Sequence, residues 1–233
     1  MKLIVANWKM HKTSKESVAF IKAVKTKKTK HIMILCPPFT SLQSAKSALG
    51  SSKIKLGAQD MYFQEEGPFT GEISANMLAE FGVVYVLLGH SERRLHCHEN
   101  NEMIKRKVQA ALAHNLTPIL CVGEQLAERD DNRTAEALKI QLAECLSGIK
   151  TTNKVIVAYE PVWCIGTGKN PTAKEIEYAH EYLRELSSLK AVLYGGSVNS
   201  KNAKEILALP SVDGVLVGGA SLDPKQFLEI ANS

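Results

Sequence analysis

The 233 residues are enough for one large α/β unit or two small domains. Hydrophobic residues make up 45% and charged residues 23%, which matches an ordinary globular chain and excludes a largely disordered one. The net charge of +5 is dispersed and dense only from Lys22 to Lys30, where a helix would show a solvated face. That dispersal argues against nucleic acid as a partner, although a mild positive field suits a small anionic ligand.

The N-terminal apolar run, Leu3 to Ala6, gives way at once to Asn7, Trp8 and Lys9, well short of a signal-peptide core or membrane span. No membrane association is expected, and the cytoplasm is the expected compartment. The five cysteines, Cys36, Cys97, Cys121, Cys145 and Cys164, are odd in number and lack a C-x-x-C pair. They are read as reduced thiols rather than a disulfide framework or zinc ribbon.

In chain order, β-rich runs fall at Leu3 to Ala6, Ile32 to Leu35, Ile54 to Gly57, Val83 to Leu88, Pro118 to Val122, Val155 to Tyr159, Ala191 to Tyr194 and Gly214 to Val217. Between them lie stretches of helical spacing, clearest at Glu99 to His114, Thr134 to Gly148, Thr172 to Ser188, Ser200 to Leu207 and Pro224 to Ala231. Such alternation requires a parallel sheet, because each helix returns the chain to begin the next strand in the same direction. Eight repeats without a composition break predict an α/β fold, a single-domain (β/α)8 barrel over residues 1–233. A doubly wound nucleotide-binding sheet is disfavoured, since no glycine fingerprint follows an early strand and Gly168-Lys169-Asn170 lacks the rest of a P-loop. The barrel predicts chemistry at the C-terminal ends of the strands.

Those ends carry distinct polar groups. Asn7 and Lys9, two apart after the first strand, would share one side if extended geometry persisted. His90 ends an apolar run before Ser91-Glu92-Arg93-Arg94, where a helix N-terminus would disfavour imidazolium and leave a neutral donor. Glu92 either orients a nearby cation or is simply a first-turn carboxylate. Glu160 opens the segment Pro161-Val162-Trp163-Cys164-Ile165-Gly166-Thr167-Gly168, whose proline stiffens one end while Gly166 and Gly168 free the other, as suits a base beneath a mobile lid. Tyr194-Gly195-Gly196-Ser197-Val198 and Val217-Gly218-Gly219-Ala220-Ser221 place glycine pairs after the last two strands, where barrels often hold phosphate on backbone N–H groups. His96-Cys97-His98-Glu99 contains metal-binding residue types at spacings that diverge on a helix, so no metal is expected. Cys121 is read as a core packer.

Asn7-Trp8-Lys9, Gly89-His90-Ser91-Glu92-Arg93-Arg94, the decapeptide Tyr159 to Gly168, Tyr194-Gly195-Gly196-Ser197-Val198 and Gly218-Gly219-Ala220-Ser221-Leu222 together resemble the triosephosphate isomerase family, from end to end of the chain. The resemblance implies a cofactor-independent isomerase of glycolysis and gluconeogenesis that interconverts dihydroxyacetone phosphate and D-glyceraldehyde 3-phosphate. It makes Glu160 the general base, His90 the neutral electrophile, and Lys9 and Asn7 the groups that bind substrate and the developing enediolate. Gly166, Ser197, Gly218 and Gly219 would hold the phosphate, with Ser91, Glu92 and Tyr194 in support. The family's homodimer implies that the loop near Gln59 to Glu72 inserts into a partner, where Thr70 would complete the other subunit's site. Four positions depart from the family pattern: Cys164 stands for a usual alanine, Asp60 for asparagine, His98 for glycine, and Pro68 stiffens the interface loop. These departures put lid packing, redox sensitivity and dimer strength in question.

Overall fold

Short aliphatic and β-branched runs form eight strands in the computed structural model, which describes residues 1–167 and 169–233. They are β1 (Leu3–Asn7), β2 (Ile32–Cys36), β3 (Lys55–Ala58), β4 (Val83–Leu88), β5 (Thr117–Val122), β6 (Ile156–Tyr159), β7 (Ala191–Tyr194) and β8 (Gly214–Val217). Every neighbouring pair is parallel, and β8 pairs with β1 from Leu3 opposite Gly214 to Ala6 opposite Val217, so the sheet closes. The helices are α1 (Ser14–Val24), α2 (Leu42–Leu49), α3 (Ala75–Glu80), α4 (Ser91–His96), α5 (Asn101–Ala113), α6 (Leu126–Asp130), α7 (Thr134–Leu146), α8 (Ala173–Leu186), α9 (Ala203–Ala208) and α10 (Pro224–Ala231). The architecture is the expected single-domain (β/α)8 barrel.

Strand alternation divides the core into two layers. Val5, Ile34, Cys36, Leu87, Ile119, Cys121, Ile156, Ala158, Leu193 and Leu216 fill the barrel interior. The residues between them, such as Ile4, Ala6, Met33, Leu35, Val86, Leu88, Val157 and Val192, face outward against the helices. Burying each large aliphatic side chain contributes about 1.5–3 kcal/mol, which makes the barrel wall a stiff platform for its rim.

Local chemistry sets the helix starts. Thr13 and Glu16 form a reciprocal capping box on α1, as do Thr172 and Glu175 on α8. Asn100 caps α5 by accepting the Met103 amide at 2.9 Å, which begins that helix at Asn101 rather than Glu99. The separate α4 ends before it, and His98 takes a positive φ of 55° in the connection, the conformation that glycine adopts most cheaply. The structure corrects two further expectations. β3 begins at Lys55 instead of Ile54, with a register shift against β4 between Leu56 and Gly57. The Lys22 to Lys30 run is mostly beyond α1, which stops at Val24, so Lys25, Lys27, Lys28 and Lys30 lie exposed after the helix rather than along its face.

Candidate active site

At the C-terminal rim of the barrel a cavity of about 430 Å³ is lined by Asn7, Lys9, His90 and Glu160. Gly166, Ser197, Gly218 and Gly219 line it as well, so eight residues drawn from five separate stretches of sequence meet in one space.

Asn7 ends β1, and Lys9 follows in a left-handed turn with φ 51°. Extended geometry therefore does not persist past the strand, yet Asn7 and Lys9 both line the cavity. Asn7 stabilises the turn by accepting the Lys9 amide on Oδ1 at 3.0 Å, and Gln59 holds its other side, donating Nε2 to the Lys9 carbonyl at 2.8 Å and to the Cys36 carbonyl at 2.9 Å. A non-glycine residue in this region costs of the order of 1–3 kcal/mol, a strain that such contacts offset. The Lys9 ammonium lies 2.5 Å from Glu92 Oε1. Burial opposes ionisation of Glu92, but the Lys9 ammonium, bonded to it, holds the carboxyl below its ordinary value. Glu92 is both a first-turn carboxylate of α4 and the ion-pair partner of Lys9, so the geometry fits both sequence readings.

His90 is the N-cap of α4, and its Nδ1 accepts the Glu92 amide at 3.2 Å. An amide can donate only to a ring nitrogen without hydrogen, so Nε2 carries the proton of the neutral ring. That Nε2 faces Glu160 Oε1 at 3.4 Å. The Glu160 carboxylate is 2% exposed; its Oε2 accepts the Ser91 amide at 3.1 Å, while Oε1 is buried without a hydrogen-bond partner among the described residues. A buried carboxylate oxygen beside a histidine N–H at the wall of a cavity is suited to exchange a proton with a group bound in that cavity. Cys121 is buried below, its thiol pushed well up by burial and then by the Glu160 carboxylate, consistent with packing rather than nucleophilic chemistry.

The backbone N–H groups of Gly166, Ser197, Gly218 and Gly219 donate to no acceptor among the described residues. Unpaired amide donors converging with a lysine form an anion cradle. A Cβ on Gly218 would stand 3.4 Å from Lys9 Cε, which shows how closely this strand end approaches the lysine.

The stretch after Glu160 makes a 3₁₀ turn, Val162–Cys164, and Gly166 has φ 72°. Gly168, the second expected hinge glycine, lies outside the described residues. Trp163 Nε1 and the Tyr159 hydroxyl donate to Glu124 Oε1 at 2.9 and 3.2 Å, and the Val162 amide donates to the Glu124 carbonyl. Burial pushes the Glu124 carboxyl up, against the effect of those hydrogen bonds. Cys164 is wholly buried and its thiol is pushed up to about 12, first by burial and then by Glu124, so the thiol is shielded in this conformation. Tyr194 supports the far end from behind, its hydroxyl donating to Asn170 Oδ1 at 2.8 Å.

Sequence reading missed Glu124 and Gln59. Both stand just beyond a strand end, after β5 and β3, so the same strand-end rule covers them. Thr70 is exposed in the β3–α3 connection and does not line this chain's cavity. His96, Cys97 and His98 are exposed at the end of α4 and beyond, and no group of three metal-ligating side chains occurs among the described residues. No helix among them is long and apolar enough to cross a membrane.

Fold and site together define a (β/α)8-barrel enzyme whose chemistry lies on the strand-end rim. A family model described as triosephosphate isomerase matches residues 2–233. The chain is 45% identical to the triosephosphate isomerase of Alkaliphilus metalliredigens over 243 aligned residues, covering 99% of this chain and 98% of that protein. It is also 45% identical to the enzymes of Dictyoglomus thermophilum, covering 100% and 99% of the two chains, and of a Picosynechococcus species, covering 99% and 98%. The chain belongs to the triosephosphate isomerase family.

Proposed function

We propose that this barrel interconverts dihydroxyacetone phosphate and D-glyceraldehyde 3-phosphate, with Glu160 as general base and His90 as neutral electrophile. The observation that carries the reading is that one cavity is lined both by Glu160, whose buried Oε1 has no hydrogen-bond partner among the described residues and lies beside His90 Nε2, and by residues whose backbone N–H groups have no acceptor among them. Glu160 takes a proton from the carbon beside the carbonyl and returns it to the neighbouring carbon. His90 Nε2–H and the Lys9 ammonium stabilise the charge that develops on oxygen in the enediolate, and Asn7 holds Lys9 in place. Gly166, Ser197, Gly218 and Gly219 hold the phosphate on their N–H groups. The Ser91 amide fixes the resting position of Glu160, Glu92 orients Lys9, and Tyr194 braces the lid. Moving a proton between adjacent carbons requires a base, a donor to oxygen and an anchor, all of which these residues supply without a cofactor. Lys9 is ion-paired with Glu92, an arrangement suited to electrostatic stabilisation rather than to Schiff-base formation.

Residues 1–233 act as one catalytic domain, working in the cytoplasm in glycolysis and gluconeogenesis. The chain functions as a homodimer in which the β3–α3 connection enters the partner and Thr70 completes the neighbouring site. Supporting this, Met10, Leu95 and Met77 are exposed apolar side chains on the β1–α1 loop, α4 and α3. The test of the chemistry is a coupled assay on folded Glu160→Gln and His90→Ala proteins, each expected to lose turnover by about 10²–10⁴-fold. Near-unchanged turnover in either variant would remove the assignment.

A further inference from the structure

The connection from β7 to α9 carries a contact set that goes beyond phosphate binding itself. Asn202 is the N-cap of α9, yet its side chain makes no hydrogen bond to that helix. Instead Nδ2 donates to the Ser197 carbonyl at 2.9 Å and Oδ1 accepts the Asn199 amide at 2.9 Å. Asn199 reciprocates, its Oδ1 accepting the Lys201 amide at 2.9 Å and the Asn202 amide at 3.4 Å, while its carbonyl accepts the Ala203 amide at 3.0 Å. One carboxamide thus grips both ends of the three-residue segment Ser197–Asn199, all of which lines the rim cavity.

That segment follows Gly195 and Gly196, two residues that give the backbone wide freedom before Ser197. An N-cap asparagine ordinarily satisfies an amide of its own first turn. Here that capacity is turned to the preceding loop, and the result is a fixed Ser197–Val198 peptide, next to the Gly196–Ser197 peptide whose N–H has no protein acceptor among the described residues. We infer that Asn202 is a positioning residue for recognition of the substrate's phosphate, acting through the backbone of Ser197 to Asn199. The inference rests on the reading that the rim N–H groups hold phosphate. Asn202 itself touches no reacting atom; it reduces the reorganisation the cradle undergoes when the anion arrives.

The test compares a phosphorylated and an unphosphorylated substrate. Asn202→Ala removes both contacts, while Asn202→Ser retains a favourable N-cap residue but is too short to span both ends of the loop, so it controls for helix capping. In both variants kcat/KM for D-glyceraldehyde 3-phosphate is expected to fall about 10-fold, mainly through KM, as the loss of two neutral hydrogen bonds implies. The inhibition constant of inorganic phosphate should rise by a similar factor, and kcat/KM for D-glyceraldehyde, which has no phosphate, should stay unchanged. Equal losses on both substrates, or no loss on either, would overturn the role of Asn202 while leaving the phosphate cradle intact. Failure of inorganic phosphate to compete with substrate in the unmodified enzyme would overturn the cradle reading and this inference with it.

Discussion

Replacing Lys107 with methionine tests how the β3–α3 connection is anchored to the barrel. Lys107 is 1% exposed, and its Nζ lies 2.8 Å from both oxygens of Asp60 and 2.5 Å from Glu99 Oε1. Arg93 completes the cluster at 2.8 Å from Asp60 and 2.6 Å from Glu99, so two cations balance two buried carboxylates. In Lys107→Met the two carboxylates share one guanidinium and the cluster carries one uncompensated negative charge. Breaking a buried ion pair in this way costs about 3–5 kcal/mol, which for a chain of this size lowers Tm by about 6–20 °C. Burial raises Asp60 from 3.8 to about 6, opposed by Lys107 and Arg93 and reinforced by Glu99. A carboxyl whose folded value lies above its unfolded one opposes folding increasingly as pH rises through that window. Without Lys107 the folded value rises further, so the deficit should be larger at pH 8 than at pH 5, where Asp60 takes up a proton. Chemical denaturation of both proteins at the two pH values measures this directly. A loss no larger than that of an exposed pair, about 1 kcal/mol, or a deficit equal at pH 5 and pH 8, would refute the reasoning.

Two other predictions follow from geometry. A Cβ on Gly195 would stand 2.8 Å from Glu160 Cγ and 3.2 Å from the Tyr159 carbonyl, so Gly195→Ala should displace the base. The expected outcome is a fall in kcat by about 10²-fold with the fold retained, and unchanged kcat in a folded variant would contradict the close approach. For the proposed dimer, sedimentation should show twice the monomer mass, and Leu95→Glu should shift it toward monomer because a charge replaces an exposed apolar side chain of the proposed interface. A monomeric parent protein would end the homodimer proposal.

Much of the site was legible because each strand end is announced locally. The aliphatic run Val83 to Leu88 stops before His90, and the run ending at Tyr159 stops before Glu160, so the rim residues could be listed before their contacts were known. Gln59 and Glu124 escaped notice because one follows a short strand with an irregular register and the other follows Gly123, where neither strand pattern nor motif marks a role. Asp60 stood out as a departure from the family, but its place among Lys107, Glu99 and Arg93 depends on side chains from three other stretches.

The amino-acid order by itself determined the kind and succession of elements, since strand and helix periodicities are properties of neighbouring residues. It also determined the family, through motifs at the strand ends. Only the tertiary structure decided that Lys9 meets Glu92 across 83 positions and that Glu160 rests on the amide of Ser91 across 69. It likewise decided that the Lys9 backbone turns left-handed and that the Glu92 amide leaves the proton of His90 on Nε2. Those facts follow from closure and register of the barrel, which bring distant strand ends onto one rim, and no local pattern encodes the distances between them.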